Sequence, residues 1–284
     1  MKNAIIGLII ILLGAVAWYF FSAQKESVAE PQPAQPVIFE PTPPAPEPEP
    51  ELRGLPASEA AVVEPEPEPL TEPDPLPPLP ESDELVLQSL SDMLGEASVM
   101  QFLLDEDLVS RFVASMDALT SRQVPGQIMA VRGLAGELEV SADEQPEKLI
   151  LNAEGDPIPQ FILSPDNYQR YAGQVEMFEA ADTEELLALY QNLAPLLQQA
   201  WAELGYPEES FEERLVEVID SLLATPDFRA PVRLIKPEAF YLFADPALES
   251  LPAGQKILLR MGPENAGRVK AKLSEIRIIL VDEA

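Results

Sequence analysis

The chain has 284 residues, 49 acidic against 18 basic, and its net charge of −31 disfavours nucleic acid and anionic lipid headgroups as partners. It contains neither cysteine nor histidine. The first absence rules out disulfide staples, and the second removes the commonest general base and the commonest metal ligand.

Residues 1–3 carry Lys2 and the amino terminus, and an uncharged run, AIIGLIIILLGAVAWYFF, follows over residues 4–21. At ~1.5 Å per residue such a run nearly spans a hydrocarbon core, which needs about 20 residues. Trp18, Tyr19 and Phe20 cluster at its outer end, where amphipathic rings suit the headgroup region. The expectation is a single-pass signal-anchor in a bacterial inner membrane, N-terminus cytoplasmic and all later residues periplasmic. Ala15-Val16-Ala17 also offers a small-x-small cleavage site, so a cleaved signal peptide is the alternative. The apolar run continues past that site through Phe21, which favours the anchor.

Residues 22–82 are Pro-rich and acidic, with thirteen acidic against two basic residues. PTPPAPEPEPE and VVEPEPEPLTEPDPLPPLP are typical stretches. Proline favours extended polyproline II and like charges resist collapse, so a disordered, stiff linker is expected, reaching on the order of 180 Å at ~3.1 Å per residue.

Residues 83–284 carry the periodicity of a packed domain, with 36 acidic against 15 basic residues. Leu85, Leu87 and Leu90 to Leu94 follow a Ser82/Asp83 cap, and Gly95 closes that helix. DEDLVSRFVASMDAL places Leu108, Phe112, Met116 and Leu119 on one stripe. KLILNAEGDPIPQFIL reads as two short strands around a turn at residues 153–156, kept to a sheet edge by Pro157 and Pro159. Asp182 and Glu185 form a capping-box pattern before a helix with Leu186, Tyr190, Leu193, Leu197 and Leu204 inward. Pro195 predicts a kink or break after Leu193, and Gly205 the end. A further helix over 208–224 turns Phe211, Leu215, Val218 and Leu222 inward, and PVRLI at 231–235 could add a strand. The fold expected is mainly α with a small β-hairpin or edge-strand element.

The C-terminal RMGPENAGRVK imitates a phosphate loop, with Gly262 and Gly267 at the right spacing and a later Ile278-Ile279-Leu280-Val281-Asp282-Glu283 resembling a magnesium-binding strand. That loop needs Lys-Ser/Thr after the second glycine, and here Arg268-Val269 stands instead. Pro263 deletes a backbone donor and Glu264 adds a negative charge where phosphates would sit. The residues fit a helix better. Gly262 suits the end of one helix and Pro263 the first turn of the next, with Ala266, Val269, Leu273, Ile276 and Leu280 inward. No nucleotide is expected.

Glu213, Glu217 and Asp220 share one side of their helix and could serve acid–base chemistry on a glycosidic bond or hold a divalent cation. A solvated face with Arg214 as counter-charge is the plainer reading. Asn152 to Asp156 lacks calcium-loop spacing and reads as a turn. No Gly-x-Ser-x-Gly occurs and no triad can form without histidine. Composition leaves a Ser–Lys dyad open, but no local pattern proposes one. No cofactor and no metal are expected.

LYQNLAPLLQQAWAELGYPEESFEERLVEVIDSLLATP at 189–226 and LPAGQKILLRMGPENAGRVKAKLSEIR at 251–277 resemble an uncharacterised bacterial envelope family, the domain of unknown function numbered three thousand and fourteen. RFVASMDAL, SPDNYQRY and FYLFADPALESL fit the same order, so the resemblance covers residues 85–280. Ala118 and Ser121-Arg122-Gln123 depart from the Asn and Pro-Arg of the family pattern. The resemblance implies one N-terminal anchor and a variable Pro-rich linker, and assigns no activity or cofactor.

The function expected is therefore a membrane-anchored, non-enzymatic binding or scaffold module in the periplasm, directed at the cell wall or an envelope protein. A carboxylate-dependent wall hydrolase using Glu213, Glu217 or Asp220 is the alternative, and a self-assembling structural protein the third reading. A partner surface would draw on Arg111, Asp117, Tyr206, Arg214, Glu217, Asp220, Arg260, Glu264, Asn265 and Arg268. Their ordinary alternative is internal pairing and capping, for example Arg260 with Glu264 or Asp220.

Overall fold

The computed structural model describes residues 76–282, except 125–127, 135 and 229–230. The expected anchor at 4–21 and most of the expected linker at 22–82 lie outside the described residues. No helix among the described residues is long and apolar enough to cross a membrane.

The described domain is mainly helical with a small antiparallel sheet of four strands. A 3-10 turn at Leu79–Glu81 leads into α1 (Asp83–Leu94), α2 (Glu96–Phe102) and α3 (Leu108–Leu119). After β1 (Val140–Ala142) and β2 (Gln160–Leu163) come α4 (Pro165–Gln169), α5 (Ala172–Ala180), α6 (Thr183–Leu204) and α7 (Phe211–Leu223). β3 (Arg233–Ile235), β4 (Leu242–Phe243), α8 (Pro246–Glu249), α9 (Ala253–Met261) and α10 (Pro263–Asp282) complete the fold.

The amphipathic stripes read from sequence are the ones buried. Leu108, Phe112, Met116 and Leu119 of α3 face Leu186, Leu193 and Leu197 of α6 and Phe211, Leu215 and Val218 of α7 in one helical core. Leu204 is the exception, because it stands exposed and Trp201, three residues earlier, supplies the inward ring. Asp182 starts α6 as expected, its Oδ1 accepting from the amides of Glu184 and Glu185 at 2.9 and 3.0 Å. Gly205 ends α6 with φ 123°.

α6 runs unbroken through Pro195, so of the kink or break expected after Leu193 the break does not occur. Proline costs a helix one hydrogen bond and a steric clash. Here Leu193, Leu196 and Leu197 are buried on either side of it, while Pro195 itself is exposed. Packing of the inner face holds both halves in one element.

The sheet also differs from expectation. Its order is β1-β2-β3-β4, all antiparallel, so β2 is an inner strand paired on both sides. Pro157 and Pro159 precede β2, where their missing donors cost the ladder nothing. Residues 148–151 contribute only an isolated bridge, Leu151 to Pro157, around the turn in which Asn152 accepts the amides of Glu154 and Asp156. β1 and β4 carry too few alternating residues to be read from sequence.

α9 joins the two cores. All nine of its residues are buried: Leu258 sits in the helical core, and Leu259 packs beneath the sheet with Leu163, Val232, Leu234 and Phe243. Its polar side chains each make at least one hydrogen bond. Gln255 donates to the Ser221 carbonyl at 2.7 Å, Lys256 to Glu249 at 2.9 Å, and Arg260 to the Tyr241 carbonyl at 3.3 Å. Gly254 lets α9 lie against α3 and α7, since a Cβ there would fall 2.6 Å from Leu222 and 3.3 Å from Leu119.

Candidate functional site

A concavity of ≈ 420 Å³ opens where the end of α3, the end of α6 and the start of α7 meet. Sequence chemistry builds each wall. Gly205 stops α6 just beyond Trp201, and the 206–210 connection folds back so that Tyr206 stacks on the Trp201 indole, centroids 4.1 Å apart and planes at 17°. Ser210 then caps α7, its Oγ accepting from the Glu213 amide, and the first two turns present Glu213, Arg214 and Glu217. This cap sets the start of α7 at Phe211, three residues later than the composition suggests.

Arg214 is the hub. Its Nε and one terminal nitrogen both donate to Asp117 Oδ1, at 3.0 and 2.8 Å, and the same nitrogen reaches the Thr120 hydroxyl at 2.6 Å. The other terminal nitrogen donates to Glu217 at 2.8 Å. Burial works to lower the guanidinium pKa, but the hydrogen-bonded ion pairs with Glu217 and Asp117 together outweigh it and raise the pKa. Arg214 thus fastens α7 to the end of α3, and it fills the gap between Asp117 and Glu217.

Two further carboxylates, Glu209 and Glu213, line the same concavity and stand exposed. Neither carries an ion pair or side-chain hydrogen bond through its carboxylate among the described residues. Trp201 also lines it, 1% exposed, and its Nε1 is buried without a hydrogen-bond partner among the described residues. An orphaned indole donor is a costly arrangement.

The structure therefore brings together Asp117, Tyr206, Glu213, Arg214 and Glu217, five of the residues singled out from sequence. Asp220 lies one turn further along α7 and pairs with Arg277 of α10, both of its oxygens accepting. Arg111 reaches the Met129 carbonyl at 3.5 Å. Glu209, Ser210 and Trp201 were missed. Trp201 could have been found from its helical phase with Leu197, and Ser210 from its cap position before an apolar stripe.

The remaining sequence candidates form a different arrangement, a structural joint. Gly262 turns the chain between α9 and α10 with φ 89°, and its α-carbon lies so close to Tyr168 that a Cβ would sit 2.5 Å from the ring. Asn265 donates to the carbonyls of Tyr168 and Met261 at 2.8 and 3.0 Å, and Asn167 donates to the Arg260 carbonyl at 3.0 Å. Arg260 lies over the Phe243 ring and bonds the Tyr241 carbonyl, pairing with neither Glu264 nor Asp220. Arg268 pairs with Glu179 of α5, and Glu264 stays exposed on the first turn of α10. The segment before Gly262 and the Ile278 to Val281 run are both helical, so neither the strand that leads into a phosphate loop nor the magnesium-binding strand is present.

A second, larger concavity of ≈ 640 Å³ beside the sheet is lined mainly by apolar groups such as Leu149, Leu151, Phe228 and Leu248. None of the sequence candidates lines it.

Comparison with protein families decides the chain's kinship: residues 108–277 match the family described as Protein of unknown function (DUF3014). The chain belongs to that family. The matched span starts at the first residue of α3 and ends inside α10, so it contains the whole acidic concavity and the Gly262 joint of this DUF3014 domain. No curated protein and no solved structure matches the chain.

Proposed function

We propose that this DUF3014 protein is a membrane-anchored periplasmic binding or scaffold module that engages an envelope partner through the concavity between α3, α6 and α7. The observation that carries the reading is the concavity itself. It gathers polar groups from three helices, leaves Glu209 and Glu213 unpaired, and is backed by an aromatic stack. The apolar run at 4–21 and the acidic Pro-rich stretch behind it support delivery of the domain away from a membrane surface. The hydrolase reading gains no support from the geometry. Of its three candidates, Glu217 is engaged by Arg214 and Asp220 by Arg277, and all three lie on the single helix α7.

Site-directed photocrosslinking in intact cells tests the proposal. A photoreactive residue at position 213 should give a discrete adduct with one envelope component, and the same residue at position 154, in the turn beside the sheet, should not. Adducts of equal yield at both positions, or none at 213, would remove the concavity as the binding surface.

A further inference from the structure

We infer that this concavity receives a basic peptide side chain, a lysine ammonium or arginine guanidinium presented on a partner's backbone. The inference rests on the binding-module reading above and names the chemistry of its partner.

Charge selects the class of ligand. Asp117, Glu209, Glu213 and Glu217 face a single lining cation, Arg214. All three Arg214 nitrogens are already donating, to Asp117, Thr120 and Glu217, and its charge is offset by the two carboxylates it pairs with. The start of α7 is closed to anions as well. The Phe211 amide donates to Gln198 Oε1 at 3.0 Å, the Glu213 amide to Ser210 Oγ, and the first turn carries Glu212 and Glu213. What is left uncompensated is negative: the exposed carboxylates of Glu209 and Glu213. A cation placed between them gains from both, and the neighbouring face of Tyr206 adds a cation–π contact.

Two observations separate a peptide from a bare ion. Among the described residues no three acidic side chains converge tightly enough to hold a metal. The buried Trp201 Nε1 is a donor without an acceptor, and an ammonium or a metal ion cannot satisfy it. A backbone carbonyl flanking a basic side chain can, once local side-chain movement opens the edge of the indole. The ≈ 420 Å³ volume accommodates a side chain with part of its backbone, in the lower range of ligand sites.

The chain contains two tryptophans, Trp18 and Trp201, so a Trp18→Phe variant of the full-length protein makes Trp201 the sole reporter. Acetyl-Ala-Lys-Ala-amide and its arginine counterpart should shift Trp201 emission with millimolar or tighter affinity. The norleucine and glutamate counterparts should bind at least about 10-fold more weakly, and raising salt from about 50 to about 500 mM should cost the basic peptides a similar factor. The isosteric pair Glu209→Gln and Glu213→Gln should weaken basic-peptide binding about 5- to 20-fold with the melting temperature unchanged. Equal binding of lysine and norleucine peptides, or no binding by any of them, overturns the inference. The two readings fail separately. An adduct at position 213 together with peptides that bind equally whatever their charge leaves the binding module standing and sinks the basic ligand, whereas loss of any position-specific adduct sinks the module itself.

Discussion

Two glycines of the phosphate-loop look-alike separate packing from coincidence at the level of single residues. Gly262 has φ 89° and no room for a Cβ against the Tyr168 ring, while Gly267 lies in α10 with nothing within 4 Å of a Cβ. Gly262→Ala should therefore destabilise the domain by about 2–4 kcal/mol, combining backbone strain with overpacking. Gly267→Ala should leave stability unchanged or raise it by up to about 1 kcal/mol, since alanine is the better helix residue. Thermal melts of the two variants check both signs. A nucleotide cradle would need both glycines alike, so opposite outcomes separate a joint from a phosphate site. This joint was legible in sequence because Gly-Pro marks the meeting of two helices through local backbone chemistry alone. The partners of Asn265 and Arg260 were not legible, since Tyr168 and Tyr241 are distant in the chain and only the packed fold brings them near.

Among the elements, what sequence shows is governed by how local the determining force is. The α3, α6 and α7 stripes follow from helical spacing, and the core buries them as read except for Leu204. The capping of α3 does not follow from spacing: Asp83, which begins α1, turns its carboxylate onto the amides of Asp107 and Leu108, both at 2.8 Å. Asp107 there adopts φ 55°, the one positive value among described residues other than glycine. Asp83→Ala should cost about 1–2 kcal/mol through loss of this cap, measurable by chemical denaturation. Pro195 shows local propensity overridden. It is exposed inside α6, so Pro195→Ala removes a backbone penalty without removing core packing. The melting temperature should rise, by about 1–2 kcal/mol of stability once the stiffer unfolded chain of the proline form is allowed for. A fall would mean that proline fits a bend the helix requires. The concavity was half visible for the same reason. Asp117, Tyr206, Glu213 and Arg214 announce themselves as polar residues at or beside helix ends, whereas the orphaned Trp201 Nε1 is a product of tertiary packing.

Across the whole molecule, charge is both a liability and a fastening. Residues 83–284 hold 36 acidic against 15 basic residues, yet residues 254–284 hold six basic against four acidic. That local excess is spent on docking α10. Arg268 pairs with Glu179 of α5, Arg277 with Asp220 of α7, and Lys270 with Asp227 and the Thr225 carbonyl. The Arg268 and Arg277 guanidiniums pull Glu179 and Asp220 below their ordinary values of 4.5 and 3.8. A carboxyl group whose folded pKa is depressed adds stability that is complete above its unfolded value and disappears as pH falls through the folded one. The window is therefore acidic, below about pH 4.5, and neutral stability should include the full contribution of both pairs. A Glu179→Gln, Asp220→Asn double variant should melt about 1–3 °C lower at pH 7, a small effect because both pairs are substantially exposed and screened by salt. That difference should shrink as pH falls below 4.5 and vanish only once pH lies below both folded pKa values, where the unsubstituted protein has lost the same two charges. Melts across this range are decisive, because general repulsion works with the opposite sign. Each acid removed from so negative a domain relaxes repulsion, so if repulsion outweighed the two pairs, the variant would melt higher at neutral pH.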